Sequence, residues 1–499
     1  MTTMAVPALG APSADFSMWD SIDWITAEKF VKRLQMRIAK AFREKRYGKA
    51  KALQWLLTHS FYGKALAVKR VTENRGAKTP GVDGVTWKTP EQKEAAVLTL
   101  KRKGYQTLPL RRIYIPKKNG KQRPLGIPRM FCRAQQALHL LALEPISESL
   151  ADPNAYGFRP KRSAADAIEQ CFKALAQKSA AQWILEGDIR ACFDKIDHDW
   201  LIANVPMDKA ILQKWLKAGY MEKGAFYPST EGTPQGGIIS PCLTVIALSG
   251  LEQAVKQAAG YRNKVNVVVY ADDFVITGIS KEHLEDKIKP AVSAFLKERG
   301  LELSQEKTKI SHIDEGFDFL GFNVRKYKGK MLIKPARSSI KRFLGNIRET
   351  IKSHKTAKTL NLIWLLNPKI RGWANYFCHI VAKETFSYVD HCIVINLLRW
   401  IRRRHPKKNA GWQRKKYFRR DGLRNWIFSA VSVKKGKIKR VDLTMASDIP
   451  IVRHLKIRAA ATPYDPIYRS YFAQRQARQR DRGGAIRQTQ PSSDFVATK

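Results

Sequence analysis

The stretch Val265 to Thr277, VNVVVYADDFVIT, constrains this chain more than any other. Val265, Val267, Val268 and Val269 read as one buried strand, and Phe274, Val275 and Ile276 as its partner. Tyr270, Ala271, Asp272 and Asp273 stand between them, which leaves room only for a tight hairpin. A hairpin buried on both faces gains no stability from two adjacent carboxylates, because unpaired buried charge is costly. Asp is also a common turn residue, so the tetrapeptide alone fits either a polar hairpin tip or an acidic site.

Charge narrows the choice. Lys and Arg number 91 against 43 Asp and Glu, a net charge of +48 over 499 residues. Solubility does not require that excess; a large polyanionic partner does, and nucleic acid leads. Anionic membrane is the competing partner, but no apolar run approaches the ~18 residues of a span. The opening MTTMAVPALGAPSADFSMWD lacks the charged and apolar regions of a secretory signal. Six cysteines include no C-x-x-C pair, which points to reduced thiols in a cytoplasmic protein.

Along the chain, residues 1–20 are small, polar and expected to be mobile. Phe30, Leu34, Ile38 and Phe42 share one helical face, and a second helix is expected from Lys49 through Leu66. Another basic helix should end by Gly104. Ile113–Ile115 and Leu125–Ile127 read as strands about an Asn119–Gly120 turn, with Lys117, Lys118, Lys121 and Arg123 around it. Such a hairpin is either solvated or a phosphate clamp. Cys132–Leu150 and Ala164–Ala176 read as helices joined by the loop AYGFRPKRS, and Trp183–Ile189 reads as a strand carrying Asp188. Asp197 stands where a helix N-cap belongs; Asp194 is left open. The Gly-rich turn GTPQGGIISP leads into a helix over Cys242–Leu251, and Leu284–Leu296 reads as an amphipathic helix. Lys307 and Lys309 are expected on a strand edge, and Phe317–Val324 is an apolar turn. Between Arg399 and Arg440 seventeen Lys or Arg face one acid, Asp421, with Trp400, Trp412, Tyr417, Phe418 and Trp426 interleaved. That mixture fits phosphates on cations and bases on rings, on a helical scaffold.

Two strands thus end in acids: Asp188 on one, Asp272 and Asp273 on the other. Side by side in one sheet they would form an acidic pocket in a basic protein and gather divalent cations. Mg²⁺ takes few protein carboxylates and fills its shell with water and substrate phosphates, and a pair of such ions serves in-line phosphoryl displacement.

In order along the chain, TPGVDGVTW, RRIYIPKKNGKQRPLGIP, YGFRP, GDIRACFDKI, GTPQGGIISP, YADD, LSQEKTKI, FLGF and GWANYF resemble the motifs of bacterial group II intron-encoded reverse transcriptases (reverse transcriptase/maturases), over roughly Ser21 to Phe472. The resemblance implies a mixed α/β (α+β) right-hand polymerase of fingers, palm and thumb, with a helical basic C-terminal region that binds DNA. It places two Mg²⁺ ions, with Mn²⁺ as a substitute, on Asp188, Asp272 and Asp273 beside the backbone of Ile189. It places Lys117 and Arg123 on the triphosphate of a dNTP, Phe193 as the ring that excludes a 2′-hydroxyl, and Gln235 and Gly236 at the nascent base pair and template. Leu320 and Gly321 become the primer grip, and Lys307 a candidate proton donor to pyrophosphate. Partners are then the parent intron RNA, an RNA template, a DNA target or primer and dNTPs, with no membrane. The function is RNA-directed DNA synthesis, help with splicing, and intron mobility by target-primed reverse transcription in the cytoplasm, on the nucleoid when DNA is engaged. A dimer is compatible with the chain, but no residue names its interface.

The expected layout is an N-terminal extension (21–110), fingers and palm (111–334), a thumb or maturase X segment (335–405), a basic DNA-binding region (406–474) and a disordered tail (475–499). Many members of the family end in a zinc-supported HNH endonuclease with C-x-x-C pairs; this chain has none, and its last cysteine is Cys392. Two other readings use the same residues: a freestanding reverse transcriptase of a defence or CRISPR-associated system, and an RNA-binding splicing factor with a relict palm. Three acids brought into one cluster argue against the relict.

Overall fold

The computed structural model describes residues 18–116, 120, 122–233, 235–260, 264–422, 424–434 and 437–488. Helix α1 (Trp24–Arg43) starts at Asp23, whose carboxylate accepts from the Ile25 and Thr26 amides. It buries Val31, Leu34 and Ile38, with Phe30 and Phe42 packed at the rim. Trp19 is also buried, edge-on against Trp24, so residues 18–20 are fixed where mobility was expected. The single helix expected over 49–66 is two, α2 (Tyr47–His59) and α3 (Phe61–Thr72). Ser60 breaks it: its backbone is extended, and its hydroxyl caps α3 by accepting from the Gly63 amide. Helix α4 (Pro90–Thr99) opens with a Thr89–Gln92 capping box and stops short of Gly104.

Strands β1 (Leu110–Pro116) and β2 (Gln122–Ile127) pair antiparallel. Lys117 and Asn119 lie outside the described residues; Gly120 has φ +78°. Helix α5 (Met130–Leu150) is shared between two cores: Leu138 and Ile146 join the N-terminal helices, while Leu140 and Leu143 join the core under the central sheet. Helix α6 (Ala164–Leu175) comes next. After β3 (Trp183–Asp188) come three short helices, α7 (Cys192–Lys195), α8 (His198–Asn204) and α9 (Lys209–Leu216). Asp197 caps α8 by accepting from the Trp200 amide. Strands β4 (Tyr220–Glu222) and β5 (Ala225–Tyr227) join the first hairpin in the order β2-β1-β4-β5. The expected helix over 242–251 is α10 (Ser240–Leu248) and α11 (Leu251–Ala259), separated at Gly250, whose φ of +94° an L side chain resists.

Strands β6 (Val267–Tyr270) and β7 (Asp273–Gly278) form the acidic hairpin, and a π-helical turn leads into α12 (Lys289–Lys297). With β8 (Lys309–His312) they build the central antiparallel sheet, β6-β7-β3-β8. Alternation sends Ile184, Val268 and Val275 to one core and Leu185, Val267, Val269 and Phe274 to another, so the sheet is buried on both faces. Lys307 falls in the turn before β8 rather than on a strand edge.

A small sheet, β9 (Phe317–Phe319), β10 (Phe322–Tyr327) and β11 (Lys330–Pro335), leads to three long helices, α13 (Arg337–Ser353), α14 (Thr359–Phe377) and α15 (Lys383–Arg404). The basic region departs from the helical expectation. Beyond α16 (Ala410–Tyr417) it forms a sheet, β12 (Phe418–Asp421), β13 (Arg424–Lys434) and β14 (Lys437–Asp442). The alternation through Trp426, Phe428, Ala430 and Ser432 against Ile427, Val431 and Val433, rich in aromatic and β-branched residues, favours a pleated strand over a helix.

Residues 449–475 then run back across the molecule as a strap. The Val452 amide donates to Cys378 O beside α14, and the Ile457 amide donates to Asp166 at the start of α6. Asp465 pairs with Arg43 of α1, and the buried Tyr464 hydroxyl donates to Glu144 of α5. Helix α17 (Arg469–Gln488) follows, so the disorder expected from 475 is corrected for 475–488: Arg475 is anchored on Asp166 and on Leu455 O. Among the described residues no helix is long and apolar enough to cross a membrane.

Candidate active site

Register brings the acids together. Asp188, the last residue of β3, lies directly opposite Asp273, the first of β7, and Tyr270 pairs with Asp273 across a two-residue turn that carries Asp272. Ala271 completes that turn at φ +59°, sparsely populated for a residue with a Cβ. Backbone bonds fix the corner: the Ile189 amide donates to Asp272 O at 3.2 Å, and the Ser304 amide to Asp188 O at 2.8 Å.

Electrostatics give the corner its character. Burial, then the charges of Asp272 and Asp188, push the Asp273 carboxyl up to about 6. Burial and Asp188 also raise Asp272. Lys307 answers them: its ammonium donates to both Asp188 oxygens, at 2.9 and 2.8 Å, and these bonds raise its own pKa. Among the described residues no set of three His, Cys, Asp or Glu side chains is arranged as a ready metal site; at this corner an ammonium holds both oxygens of Asp188. Three crowded carboxylates that draw a cation are a donor set suited to a hard divalent ion.

The acids open onto a cavity of about 1270 Å³. Arg123 and Leu125 of β2 line it together with Ile189, Phe193, Asp194, Gln235 and Gly236. The Gly-rich turn is pinned to the β1–β2 hairpin: the Gly126 amide donates to Gln235 O, and a Cβ on Gly236 would lie 2.8 Å from Gly126 O. Asp194, left open by the sequence, accepts from the Gln235 amide group at 2.9 Å and so orients that side chain. Burial pushes the Cys192 thiol up to about 12, which leaves it inert beside the acids. Of the expected site residues, Lys117 lies outside the described residues. Leu320 and Gly321 do not line this cavity. They form the two-residue turn between β9 and β10, both at positive φ, and the Tyr376 hydroxyl of α14 donates to Leu320 O.

Two contributors had no role assigned from the sequence. Gly157 presses on the acidic turn, where a Cβ would lie 2.1 Å from the Ala271 nitrogen. Phe158 lines the cavity and meets Phe193 edge-on. Their signal was the motif YGFRP, which resembles the family's without saying what its glycine and ring touch.

Comparison with known proteins accords with this geometry. Residues 115–324 match the reverse transcriptase (RNA-dependent DNA polymerase) family, 19–100 the N-terminal domain of reverse transcriptase, and 340–418 the group II intron, maturase-specific domain. Protein YkfC of Escherichia coli is 33% identical over 60% of this chain and 88% of its own length. The chain belongs to the group II intron-type reverse transcriptases. The group II intron-encoded protein LtrA of Lactococcus lactis is 28% identical over 68% of this chain and 72% of its own. Among solved structures, telomerase from Candida albicans aligns at TM-score 0.37 and 11% identity, over 59% of each chain. The reverse transcriptase is an RNA-directed DNA polymerase with a maturase-specific segment, and that segment covers most of helices α13–α15. Enzymes of this kind work with divalent metal ions.

Proposed function

We propose that this reverse transcriptase copies its parent group II intron RNA by target-primed synthesis, holds that RNA during splicing, and joins nucleotides by a two-metal mechanism in the bacterial cytoplasm. The observation that carries the chemical part is the register that sets Asp188 against Asp273 with Asp272 at the turn, beside a cavity that Arg123 also lines.

Asp188, Asp272 and Asp273, with the backbone of Ile189, would hold two Mg²⁺ ions, which would supply charge to activate the primer 3′-hydroxyl and to offset the departing pyrophosphate. Arg123 and Lys117 grip the dNTP triphosphate, Arg as a planar fork and Lys as a point charge. Gln235, oriented by Asp194, meets the nascent pair, while Gly236 lets the backbone approach the template. Phe193 stands against the 2′-carbon of the sugar. Lys307, now held on Asp188, would be the residue to protonate the departing pyrophosphate. Leu320 and Gly321 hold the primer at the palm–thumb edge. Helices α13–α15 grip intron RNA, and the β12–β14 sheet faces target DNA.

Two measurements test this. Asp272→Ala should abolish primer extension while RNA affinity stays within about twofold; a wild type that also fails to extend sinks the polymerase chemistry. RNA that co-purifies from the native host at moderate salt should be one excised intron lariat surrounding this reading frame. A mixed RNA pool would remove the intron partnership and leave the chemistry standing.

A further inference from the structure

The loop before α6 is built around one exposed ring. Tyr156 is buried, with its amide on Val269 O, and Arg159 is buried in a two-point ion pair with Glu148 while it also donates to Asp152 O and Ala155 O. Gly157 lies flat on the acidic turn. Between these anchors Phe158 is 46% exposed at φ +60°. An exposed aromatic with a backbone conformation that disfavours side chains is not explained by packing, and such strain persists only where surrounding contacts over-determine it. Here they do, and they aim the ring at Phe193: the centroids are 5.7 Å apart and the planes 70° apart, an edge-to-face pair inside the catalytic cavity.

Phe193 needs that support. It sits on α7, only four residues long, which starts from Ala191 in the left-handed region. A ring on so short a support can swing between staggered rotamers unless something blocks it. A ring that swings cannot discriminate a sugar by one hydroxyl, since such discrimination is a difference of fits in a fixed pocket.

We propose that Phe158 is a positioning residue that sets sugar selectivity: its edge fixes the ring of Phe193, and the fixed ring turns away ribonucleotides. This rests on the reading of Phe193 as the residue that meets the 2′-carbon.

The experiment is single-nucleotide extension with a dNTP and its matching rNTP, comparing kcat/KM ratios. Phe193→Ala should relax the ratio most. Phe158→Ala should relax it about 3- to 10-fold, the weight of one edge-to-face ring pair, through a fall in rNTP KM relative to dNTP KM. Phe158→Tyr, which keeps the ring, should retain wild-type selectivity. Phe158→Ala combined with Phe193→Ala should be no less selective than Phe193→Ala alone, because both changes release one ring. Phe158→Leu fills the volume without an aromatic edge and gives the answer if the alanine variant does not fold. Equal losses for dNTP and rNTP in the Phe158 variants would mark a merely structural role and overturn the proposal. Additive relaxation in the double variant would also overturn it, since Phe158 would then act on the nucleotide directly. An unchanged ratio in Phe193→Ala would overturn the gate reading itself, and this inference with it.

Discussion

The molecule has two charged hollows of opposite construction. The cavity at the central sheet gathers Asp188, Asp194 and Asp272 among Arg123 and Lys307; strand register and the Ser304 N–H lock the Asp188 backbone, the tight turn after β6 fixes Asp272, and the short helix α7 carries Asp194. A smaller cavity of about 500 Å³ lies between α13 and α15, lined by Arg348, Lys352, Lys355, Arg399, Arg403 and Arg404 over Ile351 and Trp400, with no acid in its lining. Carboxylates have short side chains, so a fixed backbone fixes their oxygens, as bond-making requires. Lysine and arginine heads ride on long, rotatable stems and tolerate an irregular phosphate track, as holding a folded RNA requires. The contrast separates geometry that must be exact from charge that need only be dense.

The sharpest way to break the contrast is at the joint between the two regions. Asp166 is fully buried and accepts from Ser163, His454, Ile457 and Arg475. Burial works to raise its pKa, but the bond and charge of His454 and the charge of Arg475 win and hold it well below the usual carboxylate range. Asp166→Ala should cost about 3–5 kcal/mol, because it leaves partner charges without a counter-ion, read by denaturant unfolding. A loss under ~1 kcal/mol would mean that the strap does not fasten α6.

Next in size, Lys307→Gln should slow nucleotide addition about 100-fold, the scale of one general acid. Lys307→Arg should recover little of it, as guanidinium is a poor proton donor. A change below ~3-fold in stopped-flow extension would leave Lys307 as a counter-ion only. Between α13 and α15, replacing Lys352, Arg399 and Arg403 together with alanine should weaken intron RNA binding about tenfold or more, and the slope of log K against log salt should fall by about 2. Fluorescence titration at several salt concentrations measures both. If the rate of addition on a preformed complex falls more than the affinity does, the two hollows are not separate in function.

The smallest effect concerns acid. Burial, then His454, lower His379 to about 4, and its ring packs on Phe322 of β10. Unfolded, the same imidazole titrates near 6.5. Its contribution is therefore fully present above pH 6.5 and is lost as pH falls from 6.5 toward 4, where only the unfolded chain takes up the proton. His379→Phe should flatten the melting temperature against pH in that window. An unaltered slope would show that His379 is solvated.

How much of this could be read beforehand depends on where the partner of each residue lies. The convergence of Asp188, Asp272 and Asp273 was legible because acids at the ends of β-branched runs conflict with burial unless the strands pair and gather them at one corner. Helices α13 and α15 are legible too, because helical periodicity runs through Ser339–Lys352 and Phe386–Arg404. The strap was not. Arg453, His454, Lys456 and Arg475 look like more nucleic-acid surface, yet their partners are Glu169, Asp166 and Gln170, more than 280 positions away. Composition cannot tell a neutralised cation from a free one. Lys307 was misplaced on a strand edge for a related reason: it sits in the turn before β8, and only the fold shows that the acid it meets is Asp188, 119 positions away.

The strap also orders events in time. Residues 449–475 leave the ribosome after Asp188, Asp272 and Asp273 have been made, and they fasten to Cys378, Asp166, Glu144 and Arg43. A nascent chain therefore carries all three acids before this strap can tie α14, α6, α5 and α1 together.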